Sequence, residues 1–311
     1  MKSRINLIQL IPTLFVLLLV FTLSCTKENS NNGTDAQEEE VSTISSESDA
    51  EAEGIFNGIF DDVMGVNDDV GMAGTGVFGR AANTGLGASA RPMACYTVTI
   101  SHPNNTPFPV RVLIDFGTTS CMGTDGHTRR GKIICEYTNR LILPGAIGST
   151  RFEDFYFDSI KIEGTHKITN TSPPVTTQPL SRQFKVQVID AKLTRPNGNF
   201  VEWNSTKTIE QIEGLITIDR PIDDVFRIKG TARGRARRDN VLVAWESNIV
   251  DGEPLIKRFS CRWINKGTIR SIRLNTAANG PWVASLNFGA GLCDNRAILT
   301  INGRSHEITL R

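Results

Sequence analysis

The sequence predicts an all-β protein: an antiparallel meander forming a sandwich or open roll, preceded by a disordered tether and one short helix. Three observations predict it. From residue 91 onward apolar side chains recur at every second position, as in Val110, Val112 and Ile114 or Phe184, Val186 and Val188. Turn chemistry separates these runs, at Asp125-Gly126, Pro196-Asn197-Gly198, Asp251-Gly252, Asn279-Gly280-Pro281 and Asn302-Gly303. No strand–helix–strand spacing appears, which argues against a parallel sheet. About a dozen strands are expected in 91–311, and roughly 220 residues suit one all-β domain.

Composition narrows the class further. With 39% apolar and 22% charged residues, the chain is neither wholly disordered nor a multi-span membrane protein. The formal net charge of +1 hides an asymmetry. Residues 26–90 hold 13 acidic side chains against Lys27 and Arg80, whereas 91–311 hold 30 basic and 20 acidic ones. An acidic segment therefore precedes a basic body and can shadow it electrostatically.

Lys2 and Arg4 precede the apolar run Leu14–Phe21, which is too short to span a bilayer as a helix and reads as a signal peptide over 1–24. Thr22-Leu23-Ser24-Cys25 resembles the lipobox of bacterial lipoproteins, with Thr22 where Leu is usual. The resemblance implies cleavage before Cys25 and lipidation there, palmitate included. More than one acyl chain gives stable anchoring, at ~0.8 kcal/mol per buried methylene. Thr26-Lys27-Glu28-Asn29 is similar to the export signal of surface lipoproteins in the Bacteroidota. The expected location is the outer membrane, surface-exposed, with a periplasm-facing anchor as second choice.

Residues 25–90 read as a lipid-anchored, acidic, Gly-rich tether. Its 29–47 stretch has almost no large apolar side chains to offset ordering entropy. Ser48-Asp49-Ala50-Glu51 has the form of a capping box, and Ile55, Phe56, Ile59, Phe60 and Val63 follow at helical spacing. A short helix over 49–64, docked on the body, is expected. Gly74-Thr75-Gly76-Val77-Phe78-Gly79 matches a dinucleotide fingerprint but lacks the flanking strand and helix, so it reads as linker.

The body carries a weak internal repeat: Cys95, a hairpin, Phe116-Gly117 and Cys121, then Cys261, a hairpin, Phe288-Gly289 and Cys293. A hairpin puts the start of its first strand beside the end of its second, at about the 5.5 Å Cα separation of a disulfide. The expected bonds are Cys95–Cys121 and Cys261–Cys293, each worth ~3 kcal/mol, although four cysteines allow three connectivities. Cys135 reads as a buried apolar residue. Ile114-Asp115-Phe116-Gly117, Cys121, Gly123, Asp125-Gly126 and Arg129-Arg130-Gly131-Lys132-Ile133 resemble a family of Bacteroidota surface lipoproteins. So do Gly164-Thr165, Leu193-Thr194-Arg195-Pro196-Asn197-Gly198, Gly230-Thr231, Cys261-Arg262-Trp263 and Phe288-Gly289 with Cys293-Asp294-Asn295. The likeness covers roughly 95–311. It implies address and architecture, and no chemistry.

Catalytic signatures are missing. His102, His127, His166 and His306 never fall within four residues of one another, and no HExxH, CxxC, Gly-x-Ser-x-Gly or P-loop pattern occurs. No metal, cofactor or catalytic residue is expected. Asp115, Asp125 and Asp294 read as turn caps in preference to Ca²⁺ ligands. Arg233, Arg235, Arg237 and Arg238 form a candidate anion-binding cluster at a hairpin tip, or else a solvated device against edge pairing. Trp203 is the candidate sugar-stacking residue, against a core reading. The expected function is a lipid-anchored, non-catalytic binding or envelope protein, taking an anionic glycan or an envelope protein and no nucleic acid. The contrasting readings are a secreted polysaccharide hydrolase and a purely structural envelope component.

Overall fold

The computed structural model describes residues 31–64, 95–123, 126–174, 176, 180–217, 221–274 and 283–310. Cys25, the Gly74–Gly79 stretch, Asp125 and Trp282 lie outside the described residues. Among the described residues one α-helix, α1 (Asn31–Met64), precedes fifteen strands. These are β1 (Thr97–Ser101), β2 (Val110–Asp115), β3 (Cys121–Met122), β4 (Thr128–Tyr137), β5 (Ile147–Phe157), β6 (Ile160–Asn170), β7 (Arg182–Thr194) and β8 (Phe200–Glu213). They continue as β9 (Val225–Arg238), β10 (Val241–Ile249), β11 (Leu255–Arg258), β12 (Ile264–Leu274), β13 (Val283–Ala290), β14 (Arg296–Ile301) and β15 (Arg304–Thr309).

All fifteen strands belong to one antiparallel sheet, with order β1-β2-β4-β5-β6-β7-β8-β9-β10-β12-β13-β14-β15. β3 pairs only with β4, and β11 bridges β9 and β12. Each main strand lies beside its neighbour in sequence, so the meander is realised as an open roll. Alternation is strict where one face is covered: β2 is buried at every second residue, as is most of β7 and β8. Register shifts interrupt several ladders, at Arg130/Lys132, Glu163/Thr165 and Lys266/Thr268. Such bulges bend and twist a sheet. Gly131 and Gly164 sit in two of them with φ of 83° and 115°. A Cβ on Gly131 would lie 2.0 Å from the Asp154 carbonyl oxygen, so only glycine allows that close approach.

The covered face encloses α1. From residue 41 to 60 only Gly54 and Gly58 of the helix are exposed. Phe56 packs on Phe152 of β5, His166 of β6 and Trp203 of β8. Phe60 packs on Phe184 of β7, Phe226 of β9 and Phe259. Near the far end the Tyr137 hydroxyl donates to the Val63 carbonyl, 3.1 Å. The short helix expected over 49–64 is thus docked on the body, as its apolar stripe predicts. It is also longer than expected. Residues 31–47, read as disordered tether, are helical, and Ser48 is a buried mid-helix residue, not a cap. The reason is tertiary: Ser42, Ser45, Ser46 and Ser48 are small enough to lie buried against neighbours, and a sequence window cannot see those neighbours.

Charge complementarity holds the helix in place. Acidic residues recur at every second position, and at 100° per residue Glu47 and Glu51 project opposite to Asp49 and Glu53. Glu47 accepts from Arg238 at 2.7 Å, and Glu51 accepts two bonds from Arg195 at 2.6 and 2.5 Å. On the other side Asp49 Oδ1 accepts from the indole nitrogens of Trp203 and Trp245, at 2.7 and 3.0 Å. Glu53 pairs with Lys207 deep in the core. Gly234 leaves room for the Trp245 ring that reaches Asp49, since a Cβ there would sit 2.3 Å from it. Residues 47–53 of the helix and the basic strands around them therefore share one interior.

Both expected disulfides are present as bonded pairs, Cys95–Cys121 and Cys261–Cys293, with Cα separations of 5.5 and 5.7 Å. They lie towards opposite margins of the sheet. Cys135 is buried and outside both.

Candidate functional site

An antiparallel meander returns alternate connections to the same end. One rim therefore gathers the β3–β4 connection, the Asp158-Ser159 turn between β5 and β6, and the 195–199 turn between β7 and β8. Asp158 and Ser159 have φ of 47° and 67°, the conformation of a tight two-residue hairpin turn. Two cavities open at this rim.

The first, about 470 Å³, is lined by Ser120, Thr128, Arg129, Arg130, Tyr156, Ser159, Lys161, Thr194, Arg195 and Pro196. Arg130, Tyr156, Lys161 and Thr194 are successive cross-strand partners on β4, β5, β6 and β7, so the ladder sets their spacing. The Arg130 guanidinium lies 3.5 Å from the centre of the Tyr156 ring. The lining holds four cations and four aliphatic hydroxyls, with no carboxylate. Lys161 also donates to Glu163 at 3.0 Å, a bond that raises its pKa above the ordinary value.

The second cavity, about 530 Å³, is lined by Glu51 and Ile55 of the helix, by His127, Phe157, Asp158 and Ile160, and by Arg195, Pro196 and Asn197. His127 stacks on Phe157 with centroids 4.7 Å apart, and its Nδ1 is hydrogen-bonded to Asp158 Oδ2. The other Asp158 oxygen accepts from the Thr128 amide at 2.9 Å. Burial works to raise the Asp158 carboxyl, but the Thr128 amide and His127 outweigh it and hold the carboxyl below the usual range. Arg195 and Pro196 line both cavities and form the wall between them.

Several expected site residues lie elsewhere. Trp203 is 1% exposed, with its indole nitrogen committed to Asp49, so it cannot stack on a sugar. Its core reading is correct. The arginine cluster runs along one strand of the β9–β10 hairpin, and only Arg237 and Arg238 stand beside its Asp239-Asn240 turn. Arg233, Arg235 and Arg237 project from the outer face of β9, a central strand, so the edge-protection reading fails as well. Arg235 is paired with Glu202 at 2.5 Å, Arg237 donates to the Gly198 carbonyl, and Arg238 turns inward to Glu47. The cluster is a mixed-charge ladder shared between an outer surface and the helix. Asp115 and Asp294 cap their own turns through Gly117 N and Arg296 N, both as expected. Among the described residues no group of three or more His, Cys, Asp or Glu side chains could hold a metal.

The rim residues did not stand out in the sequence as a site. Arg129-Arg130 and Arg195-Pro196 are 65 residues apart, and only the strand ladder makes them neighbours. Comparison of the chain with family models, curated proteins and solved structures finds no match.

Proposed function

We propose that the chain is an exported, lipid-anchored outer-membrane protein whose β-domain is a non-catalytic binding module. It takes an anionic group of the cell envelope at the rim of the roll. The observation that carries this reading is the first cavity, whose lining holds four cations and four hydroxyls, two of the cations being paired with carboxylates outside it, Lys161 with Glu163 and Arg195 with Glu51. Guanidinium and ammonium groups on paired strands are spaced without further ordering, which lowers the entropic cost of gripping phosphate, sulfate or carboxylate oxygens. The N-terminal signal and the lipobox-like Cys25 support the address.

Two measurements test the proposal. In a Cys25→Ala chain the protein is expected to leave the membrane fraction; unchanged retention overturns the anchor. In the double variant Arg130→Gln, Lys161→Gln, binding of a sulfated polysaccharide is expected to weaken at least tenfold, since each charge-assisted bond is worth about 1.5–3 kcal/mol. Arg233→Ser with Arg235→Ser on the outer ladder serves as the control and is expected to bind as the parent does. If the control loses binding and the rim variant keeps it, the site has been misplaced.

A further inference from the structure

A third cavity, about 540 Å³, lies on the outer face of β7, β8, β9, β10 and β12. Register builds it from two rows of cross-strand neighbours. Gln187, Thr206, Thr231 and Asn248 form one row, and Asn204, Arg233, Glu246 and Ile272 the other. A bulge closes the second row on β7. The register slips between Val188 and Ala191, Asp190 takes φ of 50°, and its amide donates to Asn204 Oδ1 at 2.9 Å. That bond holds the Asn204 side chain, and the bulge sets Ile189, 40% exposed, at one end of the groove with Ile272 at the other. Among the described residues no hydrogen bond or ion pair engages the side chains of Gln187, Thr206, Thr231, Arg233 or Glu246. The other arginines of β9 are all engaged: Arg227 by Glu210, Arg235 by Glu202, Arg237 by the Gly198 carbonyl and Arg238 by Glu47. Arg233 alone is left, although Glu246 stands directly across from it.

These features select an occupant. One guanidinium and one carboxylate cancel across the groove, so it has no net pull on an anion or a cation. Its floor is too polar for a lipid tail. An extended peptide docks by pairing with a free strand edge, and all five strands here are already flanked on both sides. Donors and acceptors in equal supply, on planar amide, guanidinium and carboxylate groups, suit neighbouring hydroxyls. We propose that the groove binds a neutral glycan laid across the strands. Arg233 and Glu246 each grip a pair of adjacent hydroxyls, Gln187 and Asn204 add amide bonds, and Ile189 and Ile272 cover sugar C–H faces. Four inter-strand gaps give roughly 19 Å between the ends, room for an oligosaccharide. The groove shares no residue with either rim cavity, so it stands or falls apart from the anion site.

Isothermal titration of the full-length Cys25→Ala chain tests this, with maltohexaose, cellohexaose, mannohexaose and dextran sulfate as probes. At least one neutral hexaose is expected to bind, with an affinity that holds when salt is raised to about 1 M, where exposed charges are screened. Arg233→Ser and Glu246→Gln are each expected to weaken it at least about tenfold. Thr231→Val repeats that arm should either variant melt early. Arg235→Ser, on the same strand but outside the groove, is expected to bind as the parent does, and so is the rim variant Arg130→Gln, Lys161→Gln. The side-chain amide resonances of Gln187 and Asn204 are expected to shift on saturation with the hexaose. Binding by none of the three hexaoses overturns the proposal, and so does hexaose binding that survives both groove substitutions undiminished. Hexaose binding lost in the rim variant moves the glycan to the rim. Dextran sulfate that displaces the hexaose and weakens in Arg233→Ser makes the groove an anion site and overturns the neutral ligand.

Discussion

Glu53→Ala is expected to destabilise the protein by about 3–5 kcal/mol, read as a drop in the urea midpoint at pH 7. Glu53 and Lys207 are 4% and 7% exposed in their side chains, and they meet at the interface between helix and sheet. Taking both charges out of water is costly, and their attraction offsets that cost only while both are present. Removing the carboxylate leaves the Lys207 amine, its pKa already lowered to about 7 by burial, without its partner between the buried helix and the Trp203 ring, whose centre is 5.1 Å away. It also strands Asn57, whose amide nitrogen donates to Glu53 at 2.8 Å. The double replacement Glu53→Leu with Lys207→Met is expected to recover most of the loss, because matched apolar groups carry no desolvation penalty. Far-UV circular dichroism and the melting midpoint of the parent and the two variants check this. Equal losses in the single and double variants would show that packing volume, not the orphaned charge, sets the cost.

Acid titration is expected to separate two buried groups of opposite sign. His166 lies in the core against Phe56, with neither ring nitrogen hydrogen-bonded, and burial lowers its pKa from 6.5 to about 3. The unfolded chain takes up this proton below pH 6.5 and the folded chain does not. Stability present above pH 6.5 is thus lost on acidification, by about 1.4 kcal/mol per unit. Asp224 behaves in the opposite sense. Burial raises its pKa from 3.8 to about 7, with the Arg182 guanidinium opposing and Asp223 adding to the rise. Between pH 7 and 3.8 the folded state binds the proton first, so stability grows on acidification at the same rate.

From pH 6.5 to 4.5 the two contributions cancel in the parent protein, and single variants expose them. His166→Phe is expected to gain stability on acidification, and Asp224→Asn to lose it, each by roughly 2 kcal/mol over those two units. Both changes suit their surroundings. Phenylalanine fills the imidazole's place beside Phe56. Asparagine keeps the oxygen that accepts from the Gln211 side chain at 2.7 Å. Denaturant titrations at the two pH values test it; parallel curves for both variants and the parent would refute it.

Much of the architecture is legible in the residues. Period-two alternation with Asn-Gly and Asp-Gly turns requires antiparallel hairpins, because alternate side chains must face one core and a two-residue reversal needs positive φ. Asn302 and Gly303 meet that need, at 48° and 79°. The cysteine spacing follows from the same hairpin logic, since strand length brings the ends of a hairpin together. Ile216 alternates with Ile218 as strand residues do, yet it stands in a turn and is 91% exposed, because a single alternating pair has no partner strand to select it.

By itself, then, the chain determined its strands, its turns, its two disulfides and the docking face of residues 55–63, all of which depend on contacts local in sequence. Tertiary structure alone decided three things. It extended the helix upstream of the expected 49–64, since Glu47, Asp49 and Glu51 find their partners on β8–β10 and at Arg195, 144 to 196 residues away. It buried Trp203, since Asp49 satisfies its indole. It assembled the rim from Arg130, Lys161 and Arg195, since hydrogen-bonded registers between strands set which side chains are neighbours, and no sequence window contains a register.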